Sequence, residues 1–238
     1  NTWDTPTATM PPPEKVILPM QQHIGVPCIP TVKKGDHVYV GTVVGDNSAY
    51  VCAPVHASIS GTVTEITEVM LTGGQMTQAV VIESDGKMER DPAIAPPPPI
   101  TTKEELANAA RAAGLVGLGG AGFPAHVKLN IPEGKSIDTL LVNVAECEPY
   151  VTSDHREALE NGHNVLEGIY KVKEILGVQR VIIAVEDNKP DVIQKLTEIA
   201  DDPKRDPLDQ VRVLPLKSRY PQGAEKILVQ AWTGRKVP

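Results

Sequence analysis

The chain of 238 residues carries a formal net charge of −7 and is 41% hydrophobic but only 3% aromatic. A chain of this length holds one large domain or two small ones, with a core built mainly from aliphatic side chains. The acidic balance, without a run of Lys and Arg, argues against binding of nucleic acid. The longest apolar runs are far too short to cross a bilayer, and the first residues carry no signal-peptide pattern. We therefore expect a cytoplasmic protein that does not insert directly into a membrane.

Two proline-rich segments mark predicted boundaries. Residues 1–15 predict an extended N-terminal arm, and residues 96–100, with four consecutive prolines, predict a stiff linker. Between them, residues 16–95 hold short strand-like runs separated by Gly and Asp turns, which indicates a small all-β domain. Residues 101–238 form the second predicted domain.

The β-rich region resembles a known carrier architecture. Residues 32–41 and 53–63 resemble the two halves of the barrel-sandwich hybrid found in biotinyl and lipoyl carrier domains. Those carriers display a modified lysine on the hairpin between the halves. Here the hairpin falls near residues 46–50, which contain no lysine. We therefore expect a structural or interfacial domain rather than a swinging arm.

The cysteines and histidines show no metal-binding pattern along the sequence. Cys28, Cys52 and Cys147 are widely separated, no Cys-x-x-Cys pair occurs, and the six histidines lack ligand spacing. Local spacing therefore predicts no metal site, neither zinc nor an iron–sulfur cluster, in this chain. An odd number of cysteines in a reducing compartment also argues against disulfides.

The second region alternates between helix-like and strand-like segments. Thr102 is a predicted N-cap with Glu105 three residues later, which is the pattern of a capping box. Alternating strands and helices predict a largely parallel sheet, and ligands of such sheets gather at the carboxyl ends of the strands. The predicted helices are 103–113, 154–176, 190–199 and 224–232, and the predicted strands are 139–142, 181–185 and 211–214.

The first predicted helix leads into the glycine segment, residues 114–128. Its backbone can approach a ligand closely and turn amides toward an anion, because few Cβ atoms stand in the way. Residues 117–122 have the spacing Gly-x-Gly-x-x-Gly, but a helix rather than a strand precedes them, which argues against a dinucleotide fingerprint. Phe123 adds a flat ring and Lys128 a cation. The segment predicts a site for a phosphate-bearing cofactor with a flat ring, and a glycine-rich connector is the alternative.

Two further motifs follow predicted strands. The acidic loop, residues 143–150, carries carboxylates that can accept hydrogen bonds from ribose hydroxyls or a carboxamide, or can cap the next helix. The final motif, residues 219–226, places Gly223 at the start of a helix, where free amides suit a phosphate. Ordinary helix capping is the alternative for this second motif as well.

Taken in order, these motifs resemble the RnfC family, the peripheral subunit of the Rnf (or Rsx) ferredoxin:NAD+ oxidoreductase complex. That family is related to the flavin-binding 51 kDa subunit of respiratory complex I. The resemblance implies a barrel-sandwich-hybrid domain followed by a Rossmann-like α/β flavoprotein domain of the 51 kDa type. The segments that carry it are residues 22–25, 53–63, 114–128, 145–150, 186–190 and 220–223.

The resemblance implies a non-covalent FMN and an NAD(H) site, with no catalytic side chain because the cofactor carries the redox chemistry. Compared with the complex I pattern, Ala145, Tyr150 and Ala224 stand in place of Asp, Gly and Glu. By motif position, the residues expected around the FMN and the nucleotide are Gly117, Gly119, Gly120, Gly122, Phe123, Lys128, Asn143, Glu146, Glu148, Tyr220, Gly223 and Glu225.

The resemblance also implies electron transfer between NAD(H) and FMN, and then through iron–sulfur clusters to ferredoxin. The expected setting is the cytoplasmic side of the cell membrane, in an ion-translocating complex with the other Rnf subunits. Family members continue with cysteine motifs for two [4Fe–4S] clusters, so we expect this chain to be an N-terminal portion and the clusters to belong to the full-length protein. The alternatives are an RnfC-like cobalamin reductase of a microcompartment and a non-catalytic docking module.

Overall fold

The computed structural model describes residues 4–118, 120, 122–148, 150–202 and 210–237. Two compact units are present: Thr9–Pro132, and Glu133–Pro238 together with Asn1–Ala8. Composition predicts a boundary at residues 96–100, whereas the first compact unit continues to Pro132. The reason is that Arg111 donates hydrogen bonds to the Asp46 carboxylate and the Asn47 carbonyl of the β-rich region, at 2.8 and 2.7 Å.

The β-rich part of the first unit consists of two small sheets. One sheet has the order β1-β7-β6-β3 and the other has the order β2-β4-β5. Their pairing is antiparallel throughout, and a bulge between Val63 and Glu65 interrupts the register of the longest pair. The strands are β1 (Lys15–Pro19), β2 (Ile29–Pro30), β3 (His37–Val38), β4 (Val43–Asp46), β5 (Val55–His56), β6 (Gly61–Met70) and β7 (Met76–Ser84).

The core of this β-rich part is aliphatic, as the low aromatic content requires. Inward-facing side chains of the two sheets pack together, because alternate residues of a strand point to the same face. Two cysteines are part of this core. Its buried members are Met20, Cys28, Val38, Val44, Cys52, Val55, Ala57, Ile59, Val63, Val80 and Ile82.

Two helices complete the first unit, α1 (Lys103–Ala112) and α2 (Ala125–Leu129). The predicted capping box is confirmed: the Thr102 hydroxyl accepts a hydrogen bond from Glu105 N–H, and the Glu105 carboxylate accepts one from Thr102 N–H. Both bonds satisfy backbone donors that have no partner inside the helix. Leu106 and Ala110 are the buried side chains of α1.

The second unit contains a three-stranded parallel sheet with the order β10-β9-β8. The central strand β9 is buried from Val181 to Glu186, which explains its unbroken apolar sequence. Pro215 lies in the edge strand β10, where a residue without an N–H is tolerated. The elements are β8 (Thr139–Val144), α3 (Ser153–Glu160), α4 (Gly162–Leu176), β9 (Arg180–Glu186), α5 (Pro190–Ala200), β10 (Gln210–Leu216) and α6 (Glu225–Thr233).

The single helix predicted over residues 154–176 is wrong, because the structure divides it at Asn161. Asn161 has φ −119° and ψ 19°, outside the helical region. A Cβ on Gly162 would lie 3.1 Å from a terminal methyl carbon of Ile199. The break therefore lets α4 begin on a glycine that packs closely against α5. The predicted stop at Gly177 is confirmed, since this residue caps α4 with φ 68°.

Among the helices of the described residues, none is both long enough and apolar enough to cross a membrane. The parallel topology brings the loops after β8, β9 and β10 to one edge of the sheet. These loops contain the acidic loop, residues 187–189 and the start of the final motif.

Candidate functional site

The glycine segment forms a closed loop within the first unit. Gly117 N–H donates a hydrogen bond to the Phe123 carbonyl at 3.0 Å, and Val116 forms an antiparallel bridge with Pro124. Leu118 is 93% exposed. The hydrogen bond and the bridge therefore fix the two ends of the loop, and the loop is exposed to solvent at Leu118.

The described glycines of this loop differ in what they do for the fold. Gly122 has φ +65°, and a Cβ there would lie 3.0 Å from the Gln22 carbonyl oxygen and 3.1 Å from His23 Cα. Gly120 has no atom within 4 Å of its Cβ position, and Gly117 has only ordinary contacts, at 3.7 Å or more. The predicted ligand residue Gly119 lies outside the described residues. Gly122 is thus required by the fold, whereas Gly120 leaves open space beside the backbone.

Phe123 and Lys128 lie beside this loop, as the sequence predicted. The Lys128 ammonium nitrogen is 5.9 Å from the centre of the half-buried Phe123 ring. This distance is within the range of a cation–π interaction. Lys128 is an exposed residue and adds a positive charge to the glycine segment.

The acidic loop of the second unit is held by its own side chains. Asn143 donates a hydrogen bond to the Gly223 carbonyl at 2.8 Å and accepts one from Ala145 N–H at 3.1 Å. The Glu146 side chain, only 5% exposed, accepts hydrogen bonds from Asp154 N–H and His155 N–H at the start of α3, at 2.9 and 3.4 Å. Asn143 thus connects the end of β8 to the final motif. Glu146 caps α3, and capping is the alternative role that the sequence left open for the acidic residues of this loop.

A buried lysine organises the same region, and motif spacing did not assign it a role. The Lys189 ammonium lies 2.7 Å from the Glu186 carboxylate and 3.9 Å from that of Glu146, with each of the three side chains at most 7% exposed. Glu186 also accepts a hydrogen bond from the Ser218 hydroxyl at 3.2 Å. One cation therefore lies between two buried carboxylates and offsets one of their two negative charges. The sequence feature that points to a role for Lys189 is its position in residues 186–190, at the carboxyl end of a buried strand.

Close packing requires a glycine at position 223. A Cβ at this position would lie 2.0 Å from the Ala145 carbonyl oxygen and 2.8 Å from the Cys147 sulfur. Ala224 is the N-cap of α6, and Glu225 lies in the first turn of that helix. The glycine thus lets the final motif approach the acidic loop.

The acidic pocket, a cavity of about 350 Å³, lies between these loops. Its wall includes Glu146, Glu148, Lys189, Arg219 and Tyr220. Tyr220 is 79% exposed and Glu148 is also exposed, so both present polar atoms that the fold leaves accessible. This volume is at the lower end of the range of small-molecule sites.

Tyr150 occupies a backbone conformation that favours glycine. Its φ is +66°, and its side chain is fully exposed. The complex I pattern has glycine at this position, and glycine adopts a positive φ without steric cost. Tyr150 therefore adopts this conformation without the freedom of a glycine, and its aromatic ring is exposed to solvent at the wall of the acidic pocket.

A wider depression of about 1040 Å³ lies in the first unit, lined among others by Asp46, Tyr50, Arg111 and His126. None of the predicted ligand residues that the structure describes lines it. The structure also brings His23, Cys28 and Cys52 together inside the β-rich core, although they are far apart in sequence. Spacing rules missed this group because they look only for ligands that are close along the chain.

Known protein families match both parts of this architecture. The family model described as the RnfC barrel sandwich hybrid domain matches residues 1–87, and that of the Nuo51 FMN-binding domain matches residues 110–238. The chain belongs to the RnfC family. This membership confirms the predicted fold class, a barrel-sandwich hybrid followed by an α/β flavoprotein domain.

Curated relatives of this RnfC chain carry related names. It is 46% identical over 231 residues to the C subunit of the Na(+)-translocating ferredoxin:NAD(+) oxidoreductase complex of Acetobacterium woodii, covering 95% of this chain and 50% of that protein. It is 42% identical over 241 residues to the proton-translocating counterpart of Clostridium ljungdahlii, covering 100% and 51%. The C subunit of an ion-translocating oxidoreductase complex from Rhodobacter capsulatus is 36% identical over 233 residues, covering 97% and 44%. The chain spans about half the length of the curated relatives it matches.

Proposed function

We propose that the protein containing this chain is the subunit of a ferredoxin:NAD(+) oxidoreductase that exchanges electrons between NAD(H) and FMN. Membership in the RnfC family, the match to an FMN-binding domain and the names of the relatives support this proposal. A bound FMN supplies the ability to accept a hydride and to release single electrons. The residues of this chain bind the cofactor, orient it and shield it from water.

The open space at Gly120 is the observation that carries the proposal. Neither a positive φ nor internal packing accounts for a glycine at this position. A side chain there would extend into the space that a ligand needs to reach the backbone amides. With the positive charge of Lys128 and the ring of Phe123 nearby, the glycine segment fits a phosphate group and an aromatic ring.

The predicted ligand residues divide into two roles. Direct contacts to FMN or NAD(H) are proposed for the accessible residues of both regions: Gly117, Gly120, Phe123, Lys128, Glu148, Tyr220 and Glu225. The remaining described ones act by positioning, since Gly122, Asn143, Glu146 and Gly223 already hold their loops by packing or hydrogen bonds. Gly119 stays a proposed ligand residue on its motif position alone.

The acidic pocket suits hydroxyl and amide groups better than a phosphate. Two of its carboxylates, Glu146 and Glu186, share the single cation of Lys189, and Glu148 remains accessible. A carboxylate accepts hydrogen bonds from ribose hydroxyls or from a carboxamide N–H but repels a phosphate. We therefore assign the phosphate groups to the glycine segment.

The proposed setting is a complex with the other Rnf subunits, peripheral to the cell membrane on its cytoplasmic side. Ferredoxin is the proposed electron partner. The two [4Fe–4S] clusters are proposed for the remainder of the protein, outside this chain. In the purified whole protein, reduction of ferredoxin rather than of cobalamin supports this assignment over the cobalamin-reductase alternative, and the opposite preference overturns it.

FMN binding tests the role of the glycine segment. We expect Gly120→Val to weaken FMN affinity by at least about tenfold, a loss of about 1.4 kcal/mol in binding free energy. Quenching of flavin fluorescence during titration of the purified protein measures this affinity. Gly168→Val is the matched control, because Gly168 of α4 also has no atom within 4 Å of its Cβ position.

The two variants are expected to keep the wild-type circular dichroism and melting temperature. Equal FMN affinity in Gly120→Val and the wild type would contradict the assignment of the glycine segment. Loss of FMN absorbance on addition of NADH tests hydride transfer separately. An FMN-loaded protein that NADH does not bleach would overturn the oxidoreductase function.

A further inference from the structure

Three soft donor atoms meet inside the β-rich core of the first unit. His23, Cys28 and Cys52 are 7%, 4% and 0% exposed. The His23 Nε2 atom lies 3.9 Å from the Cys28 sulfur and 3.7 Å from the Cys52 sulfur, and the two sulfurs are 3.5 Å apart. These distances equal, within a few tenths of an ångström, the separations between ligands of one tetrahedral zinc ion, which are roughly 3.5–3.8 Å for bonds of about 2.3 Å to sulfur and about 2.0 Å to nitrogen.

A backbone oxygen occupies a fourth corner. The Ala53 carbonyl oxygen lies 3.1 Å from His23 Nε2, 3.2 Å from the Cys28 sulfur and 4.0 Å from the Cys52 sulfur. The four atoms thus outline a small, closed tetrahedron. In zinc sites with three protein side chains the fourth ligand is commonly a water oxygen. Here the Ala53 carbonyl oxygen lies at that corner.

The histidine ring can take the tautomer that a metal ligand needs. Its Nδ1 and Nε2 atoms lie 3.0 and 3.1 Å from the carbonyl oxygens of Ile24 and Ala53, so either nitrogen can carry the ring proton. With the proton on Nδ1, Nε2 keeps its lone pair beside the two sulfurs and accepts a hydrogen bond from Ala53 N–H at 3.1 Å. A cation replaces this one weak donor at Nε2, while Nδ1–H fixes the ring through Ile24, the common outer-shell arrangement of zinc-bound histidine.

We propose that His23, Cys28 and Cys52 bind one Zn²⁺ ion, with the Ala53 carbonyl oxygen as the fourth donor. Binding replaces the two thiol protons, which pass to solvent, and forms two zinc–thiolate bonds without oxidation or reduction. Two thiolates and one imidazole favour zinc over the hard cations Mg²⁺ and Ca²⁺.

The site has a defined place in the fold. It ties the segment that carries His23 and Cys28 to the segment around Cys52 and Ala53, which are not neighbours along the chain. Gly122 of the glycine segment packs on the Gln22 carbonyl and on His23 Cα. The ion therefore stabilises the surface on which the glycine segment rests. This role is structural and does not depend on the proposed electron transfer.

Metal content of the purified protein tests the proposal. Protein prepared with zinc in the medium, under reducing conditions and after desalting, is expected to carry about one Zn²⁺ per chain at this closed site. Cys28→Ala, Cys52→Ala and His23→Gln are expected to lower zinc affinity by at least about 10–100-fold. Cys147→Ala is the matched control, because Cys147 is the remaining cysteine and lies in the other compact unit.

Cobalt provides a second readout that needs no variant. Co²⁺ added to zinc-depleted wild type is expected to produce thiolate-to-metal charge-transfer absorption together with the visible bands of a tetrahedral ion. This measurement decides the question even where a core variant fails to fold. Elemental analysis that finds almost no zinc, with no charge-transfer absorption, overturns the proposal. So does a native mass that reveals a Cys28–Cys52 disulfide, or a zinc content in Cys28→Ala equal to that of the control.

Discussion

The glycine segment and the final motif each contain a glycine predicted to lie at a ligand, Gly120 and Gly223, but the surroundings of the two glycines are opposite. Beside Gly120 there is open space, whereas a Cβ on Gly223 would lie 2.0 Å from the Ala145 carbonyl oxygen. The first glycine leaves room for something outside the fold, and the second permits contact within the fold. Membership in a motif therefore does not by itself identify a ligand contact.

The lysines of the two regions differ in the same way. Lys128 is exposed and lies near the Phe123 ring, whereas Lys189 is buried between Glu186 and Glu146. The sequence assigned a binding role to Lys128 and none to Lys189. The contrast indicates that the lysine of the glycine segment lies at the surface, while the lysine of the acidic pocket is used inside the fold to offset carboxylate charge.

Removing the buried cation is expected to have the largest effect. Lys189→Met leaves two carboxylates buried without their partner, so we expect the free energy of unfolding to fall by about 3–5 kcal/mol. Urea denaturation followed by circular dichroism measures the loss. Lys128→Met is the matched control, because Lys128 is exposed, and it is expected to cost at most about 1 kcal/mol, as for exposed charged side chains in general. Similar losses in both variants would remove the distinction between the two regions.

Adding a single methyl group to each glycine is expected to have the next largest effect. Gly223→Ala forces the acidic loop and the final motif apart, at a cost of about 3 kcal/mol in unfolding free energy. Gly120→Ala is expected to stay within about 0.5 kcal/mol of the wild type, as for a substitution into open space. Thermal unfolding of the two variants side by side measures the difference. A stable Gly223→Ala protein would show that the close approach is not required.

The smallest expected effect concerns acid titration. Burial, followed by the nearby charge of Glu146, raises the pKa of Asp154. The contribution of this group to the free energy of unfolding is therefore complete below a pH of about 4, and it is lost as the pH rises through the folded-state pKa. In the first unit, hydrogen bonds from Ser60 and from Lys87 N–H lower the pKa of Asp85 to about 2, and its contribution is lost as the pH falls from about 4 to that value.

Asp154→Asn and Asp85→Asn should therefore change the pH dependence of stability with opposite signs. As the pH rises above about 4, Asp154→Asn is expected to gain stability relative to the wild type. As the pH rises from about 2 to about 4, Asp85→Asn is expected to lose stability relative to the wild type. Denaturation midpoints across this pH range measure both trends. Parallel curves for the wild type and a variant would mean that the corresponding carboxyl titrates as in the unfolded chain.

Local patterns predicted several parts of this protein well. The capping box of Thr102 and Glu105, the end of α4 at Gly177 and the buried strand β9 depend on residues that are close in sequence. The break at Asn161 was not predictable in this way. Its cause is the packing of Gly162 against α5, more than thirty residues further along the chain.

The sequence by itself determined the family and the two kinds of domain, and it predicted the segments proposed to bind a ligand, because ordered motifs and hydrophobic periodicity are properties of the chain. Only the tertiary structure decided which residues of those motifs remain accessible. It alone brought Lys189 between two carboxylates, pressed Gly223 against Ala145 and assembled His23, Cys28 and Cys52 into one group. The reason is physical: such contacts depend on distances between residues far apart along the chain, and those distances are set only when strands pair and loops pack.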